Sequence, residues 1–293
     1  MIRGLIFRRR PGNLPWLAHG LRGKTWGTKH DLQMSKSPSQ PVPPMRWKVV
    51  CAYDGSEFEG WQSQPGGRSV QDVIEARLGR IAGDPVRIHG SGRTDAGVHA
   101  KAQVFHFDLR WRHGAQRLLA ALRVGIPPAL QICSVRAVRP EFHARFDVIR
   151  KRYEYRIYLG NPDPFIRRFV WGLDRPEPMD FRAMDEAARH LRGRHDFAAF
   201  SALNGRDRED TVRRLDRFEF SRKGRNLRIV AEADGFLYKM VRTLVGALVA
   251  VGMRKVSPER IRSMLEDGRR PPEVETAPAQ GLCLTRVWYK GSR

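Results

Sequence analysis

The chain has 293 residues, 41% of them hydrophobic, which is enough for a sizeable core and too many for full disorder. Its 54 Lys and Arg against 31 Asp and Glu give a formal net charge of +23 at pH 7. A surplus this one-sided points to a polyanionic partner, nucleic acid ahead of an anionic membrane. No apolar run approaches the roughly 18–20 residues that span a bilayer.

Residues 1–45 are set apart by composition. Arg3, Arg8, Arg9, Arg10, Arg22, Lys24, Lys29 and Lys36 face the single acid Asp31. No apolar period runs through them, and Ser35 to Pro44 reads as a disordered linker. The segment has no apolar stretch of the secretory type. Three readings fit it: an organelle transit peptide, a basic arm that adds RNA affinity, or an upstream stretch from a misplaced start, with Met34 and Met45 as alternative starts.

The pattern tightens from Arg46. Residues 46–53 are short and β-branched and predict a strand. Ser69 opens a helix with Val70, Val73, Ile74, Leu78 and Ile81 on one face, and Asp72 stands where a capping box needs an acid. Strands follow over 86–89 and 103–107, a helix over 116–124 stopped by Gly125 and Pro127, and a strand over 130–138. The order is β-α-β-β-α-β.

The second half repeats it. Residues 151–159 alternate, with Tyr153, Tyr155, Ile157 and Leu159 on one face. A helix over 179–191, a hairpin of 212–221 and 227–233, a long apolar helix over 237–251, a shorter helix over 258–265 and a strand over 282–289 complete the chain. Two such units in tandem predict an α+β fold. Two split βαβ units would merge into one sheet of about eight strands, with helices on one face and the other free for a long ligand.

Residues 90–100, Gly-Ser-Gly-Arg-Thr-Asp-Ala-Gly-Val-His-Ala, are the most unusual stretch. The third glycine of a dinucleotide fingerprint is Asp95 instead, and no Gly-Lys-Ser/Thr follows for a P-loop. The zinc-deaminase and Gly-x-Ser-x-Gly patterns are absent. Cys51, Cys133 and Cys283 stand far apart, so neither a disulfide framework nor a Cys-x-x-Cys site is expected. The scattered His89, His99, His106 and His113 fit no metal spacing. A tight turn capped by Asp95 and a catalytic carboxylate both account for the loop.

These residues closely resemble the active-site loop of the tRNA pseudouridine synthase A family. Asp54-Gly55, Phe58, Gly60-Trp61-Gln62 and Gln64 resemble its second block. Phe142 to Phe146 with Arg152-Tyr153-Glu154-Tyr155, Gly193 with His195-Asp196-Phe197, Phe236 with Tyr238 and Met240-Val241-Arg242, and Ala277-Pro278 with Gly281-Leu282 resemble four more. The resemblance spans about residues 46–290. It departs at Arg123 to Pro127, where the family usually reads close to Asn-x-x-Leu-Pro.

The resemblance implies the pseudouridine synthase fold, two ferredoxin-like halves in one large, mostly antiparallel sheet. It divides the chain into the basic extension 1–45, a catalytic subdomain 46–147 bearing the Asp95 loop, and a subdomain 148–293 completing the RNA cleft. It implies isomerisation of uridine to pseudouridine in the tRNA anticodon arm, at positions 38, 39 and 40, by a homodimer that needs no metal or cofactor. A cytoplasmic location is expected, or an organelle if residues 1–45 are a transit peptide; no membrane partner is expected.

By the same resemblance Asp95 is the catalytic aspartate. Attack at C1′, attack at C6 and proton removal at C2′ each need an anionic oxygen there. Arg242 would pair with Asp95, since a guanidinium favours the charged form of a neighbouring acid; unaided, it reads as a snorkelling surface arginine. Tyr153 would stack on the uracil, although any strand tyrosine also suits a core. Arg93 would fill the gap left by an extruded base, and Val241 would pack near that base. His195 and Asp196 are read as shaping their loop. Arg145, Arg150, Lys151 and Arg152 form the first candidate cluster for phosphates, and Arg206, Arg208, Arg213 and Arg214 the second. A catalytically silent RNA-binding protein on the same scaffold would keep the bases and lose the acid, the ring or the arginine; Asp95, Tyr153 and Arg242 are all present.

Overall fold

The computed structural model describes residues 43–174, 178–202 and 210–290, and Val42–Arg293 form one compact unit. Most of the basic extension lies outside the described residues, as do Arg206 and Arg208.

The first half runs β1 (Met45–Tyr53), α1 (Val70–Ala82), β2 (His89–Gly90), β3 (His99–Leu109), α2 (Gly114–Arg123) and β4 (Leu130–Val138). The second runs β5 (Val148–Leu159), β6 (Trp171–Leu173), α3 (Phe181–Leu191), β7 (Gly193–Asp196), β8 (Val212–Lys223), β9 (Asn226–Ala233), α4 (Met240–Gly252), α5 (Pro258–Asp267) and β10 (Leu282–Tyr289). The capping box at Ser69 is complete: its hydroxyl accepts from the Asp72 amide, and the Asp72 carboxylate accepts from the Ser69 amide. At the departure site near residue 123, the Arg123 guanidinium donates to the Ile132 carbonyl at 2.8 Å and ties the end of α2 to β4.

The strands form one ten-stranded sheet with the order β4-β1-β3-β10-β5-β9-β8-β7, β2 pairing with β3 and β6 with β5. Each half therefore keeps the ferredoxin-like order, β4-β1-β3-β2 and β10-β5-β9-β8. The doubled pattern holds. Two short strands, β6 and β7, were not expected from periodicity, because three or four residues are too few to show an alternation. The strand expected over 86–89 shrinks to His89–Gly90.

That shortening has a structural consequence. β2 pairs with β3 only at His89↔His106 and Gly90↔Phe105. The rest of that edge is taken by β10, in parallel, at Cys283↔His99 and Leu284↔Ala100. The two halves are thus joined along β3, and residues 91–98 emerge from the fork between β2 and β10.

Alternation sorts the two faces of the sheet. Trp47, Val49, Phe105, Phe107, Tyr155, Ile157 and Ile229 share one core with Ile74, Leu118, Met184, Leu244 and Ile261 of the five helices. The other face carries charges across its second half. A smaller cluster of Val104, Phe142, Ala144 and Tyr289 lies where the segment before β5 folds over it.

Candidate active site

The loop bearing Asp95 is held by the block 54–62. The Trp61 amide donates to the Thr94 carbonyl at 3.0 Å and the Gly97 amide to the Gly55 carbonyl at 3.2 Å. The approach is close enough to require glycine. A Cβ on Gly55 would lie 2.0 Å from the Val98 carbonyl oxygen, and Gly60 adopts φ +86° with its missing Cβ 2.7 Å from the Thr94 oxygen. Gln103 on β3 fixes the loop from beneath, donating to the Gly92 carbonyl at 2.9 Å and accepting from the Ser91 hydroxyl at 2.7 Å. Tyr53 and Thr94 share a hydroxyl–hydroxyl bond of 2.8 Å.

Asp95 meets the second half of the chain through one arginine. Arg242 Nη1 donates to Asp95 Oδ2 at 2.8 Å, and its Nε donates to the Ala277 carbonyl at 2.7 Å. The two side chains are 14% and 22% exposed, so the pair is shielded but reachable from solvent. The bend that starts α4 is strained: Lys239 caps it at φ 58°, a left-handed conformation that a lysine rarely adopts. Its position sets the first turn of α4, and with it Val241 and Arg242.

Tyr153 is buried, its ring perpendicular to that of Phe236 with the ring centres 5.2 Å apart. Burial first, and then the Asp95 carboxylate, push its phenol well above the ordinary tyrosine range. It therefore stays a neutral hydroxyl beside the acid. Val241 is buried at the same helix start. Arg93 is exposed, its Nε donating to Gln62 Oε1 at 2.9 Å.

The structure thus brings Asp95, Arg242 and Tyr153 together, with Val241 beside Arg242 on α4 and Arg93 on the Asp95 loop. It corrects the expectation that the helix-free face holds the ligand. Tyr153 is in register with Leu284 and Ala231, all three within the helix-packed core, and Arg242 lies on a helix. A cavity of about 290 Å³, lined by Asp54, His99, Lys101, Glu154, Arg156 and Cys283, contains none of the five candidate residues. Asp95 lies outside that cavity, its side chain 22% exposed.

The first cluster of bases divides along β5. Arg150 and Arg152 face away from Tyr153 and share Glu232, at 3.7 and 2.7 Å, and both lie over the Trp288 ring. Lys151 lies on the Tyr153 face. In the second cluster Arg213 pairs with Asp210 and Arg214 with Asp216, the character of a solvated face. His195 and Asp196 bond to local backbone, at Arg192 O and Ala198 N, and shape their loop. Gln62, Gln103 and Phe236 support the site without having been singled out. Their signal in the sequence was membership of the matching blocks for Gln62 and Phe236, and nothing local for Gln103. Among the described residues no group of three or more His, Cys, Asp or Glu could hold a metal ion.

A family described as tRNA pseudouridine synthase matches residues 49–147 and 187–290. The tRNA pseudouridine synthase A of Maridesulfovibrio salexigens is 41% identical over 248 residues, covering 83% of this chain and 90% of that protein. That of Solidesulfovibrio magneticus is 42% identical over 250 residues, with 83% and 91% covered. That of Streptococcus mutans is 38% identical over 249 residues, with 84% and 99% covered.

Proposed function

This chain belongs to the tRNA pseudouridine synthase family, and on that premise we propose that Asp95 is its catalytic residue, acting on uridine 38, 39 or 40 of the anticodon stem-loop. The chain is an isomerase that converts uridine in tRNA to pseudouridine. The N1–C1′ bond breaks, a C5–C1′ bond forms, the C5 proton leaves to solvent and N1 takes one up. Atoms and electrons balance without a co-reactant.

The observation that carries the assignment is the 2.8 Å contact of Arg242 with Asp95 Oδ2 beside a buried, neutral Tyr153. Arg242 holds one oxygen and leaves Oδ1 for the nucleotide. Tyr153 stacks on the uracil, a contact of roughly 1–3 kcal/mol. Its hydroxyl is placed to move the C5 proton during rearomatisation. A uridine inside a helix must leave the stack to reach the acid, at a cost of a few kcal/mol. Exposed Arg93, held through Nε by Gln62, presents a planar group that fills the gap, and Val241 forms an apolar wall near the base.

Incubation with tRNA tritiated at uracil C5 tests this. Label is released without added metal or nucleotide; no release from several tRNAs carrying U38, U39 or U40 overturns the reading. The reading includes a cytoplasmic homodimer with one tRNA touching both subunits. Light scattering at micromolar concentration checks the dimer, and a monomer with full activity removes it.

A further inference from the structure

Lys151 is a cation beside the Asp95 loop that no acid among the described residues balances. It alternates with Tyr153 on β5, so the two share a face about 7 Å apart along the strand. Its cross-strand neighbours are apolar, Val287 on β10 and Ala233 on β9. Its ammonium lies over Gly92 in the Asp95 loop: a Cβ at Gly92 would stand 2.7 Å from Nζ. The charged group acting on it is Arg145, of the same sign. Among the described residues no carboxylate pairs with it, whereas its neighbours Arg150 and Arg152 both reach Glu232. Asp95, in the loop beneath, is already engaged by Arg242.

A cation taken partly out of water without a counter-ion is unfavourable until an anion arrives. The anion that an extruded nucleotide brings is its own phosphate, and a nucleotide extends from base to phosphate over a distance comparable to two strand residues. We propose that Lys151 binds the backbone phosphate of the target nucleotide while Tyr153 holds its base, and that residue 92 is glycine so that the ammonium can reach across the loop. The proposal rests on the placement of the target uridine at Asp95 given above.

Burial and Arg145 also bring the Lys151 ammonium down to about 8. The protonated form binds phosphate, so affinity for tRNA holds at pH 7 and falls as pH rises through 8 towards 9.

The test measures binding of intact tRNA to the Asp95→Asn protein, in which turnover does not interfere. Adding Lys151→Gln weakens binding roughly tenfold, the effect of losing one charge-assisted hydrogen bond. It also lowers the slope of log K against log salt by about 0.7–0.9, one phosphate's worth. Lys151→Arg keeps the affinity and abolishes the loss between pH 7 and 9. Gly92→Ala displaces the ammonium, weakens binding similarly, and adds little further when combined with Lys151→Gln. An unchanged salt slope together with an unchanged pH profile overturns the proposal. If Lys151→Gln fails to fold, Gly92→Ala and the pH profile of the Asp95→Asn protein with Lys151 intact decide it. Absence of tritium release by the wild-type protein strikes the catalytic reading; release with an unaltered Lys151 salt slope strikes only this one.

Discussion

The two faces of strand β5 treat positive charge in opposite ways. On one, Arg150 and Arg152 converge with Arg217 on Glu232, and Arg228 donates to Glu154 at 2.9 and 2.5 Å. Arg150, Arg152 and Arg286 also lie over the Trp288 ring, at 4.6, 5.2 and 4.8 Å. On the other face, one residue away in sequence, no acid among the described residues pairs with Lys151, and Tyr153 lies beside Asp95. A net charge of +23 is therefore not a measure of RNA-facing charge. Much of the arginine on the far face is engaged with glutamate and tryptophan, and under the proposal above the cation that meets substrate is Lys151.

The largest break between the faces comes at the acid. Asp95→Asn is expected to lower tritium release at least about a thousandfold while retaining the fold and tRNA binding; activity near wild type would show that another group does the chemistry. Arg242→Met is expected to cost about a hundredfold in turnover, because Asp95 loses the donor that orients it. Arg152→Met, an equal loss of charge on the far face, stays within about twofold, since Glu232 keeps Arg150 and Arg217. Equal losses in the two variants would erase the distinction. Tyr153→Phe keeps the ring and removes the hydroxyl: binding is unchanged and turnover falls about a hundredfold if that oxygen moves the C5 proton. Full activity confines the ring to stacking.

The smallest effect lies under the segment that folds over the far face. His106 is buried, and its Nδ1 accepts from the Ala144 amide at 3.1 Å, a bond only the neutral ring can make. Burial, then the neighbouring His143, bring it down to about 4 from the ordinary 6.5. The unfolded chain thus takes up a proton that the folded one refuses. The stability involved is present above pH 6.5 and is lost as pH falls towards 4, by at most roughly 3 kcal/mol. Thermal melts across that window should fall less steeply for His106→Gln; parallel curves would assign acid sensitivity elsewhere.

The alternation of residues 151–159 placed Tyr153 correctly, because strand periodicity is a local property that side chains record one by one. The same alternation, carried back two residues, separates Lys151 from Arg150 and Arg152, which a reading by composition had joined into one cluster. The meeting of Asp95 with Arg242, 147 residues apart, has no local signal and was readable only through the resemblance of several blocks. Gln103 was illegible for a different reason: its role under the loop depends on which strand lies beneath, and a lone glutamine in a strand carries no pattern. The face that holds the site was misjudged because a count of strands and helices does not say where a loop rises from the sheet.

The placement of β10 bears on how the molecule is made. Residues 282–289 are translated after every other strand, yet they stand in the middle of the sheet, between β3 and β5. The first half can pair β1, β3 and β4 while the ribosome is still at work, but the halves cannot be joined along β3 until β10 has left the exit tunnel. Closing contacts of such sequence separation is slow and leaves β3 with an open edge meanwhile. Asp95 lies on one side of that seam, with Tyr153 and Arg242 on the other, so the site is assembled only once β10 is in place.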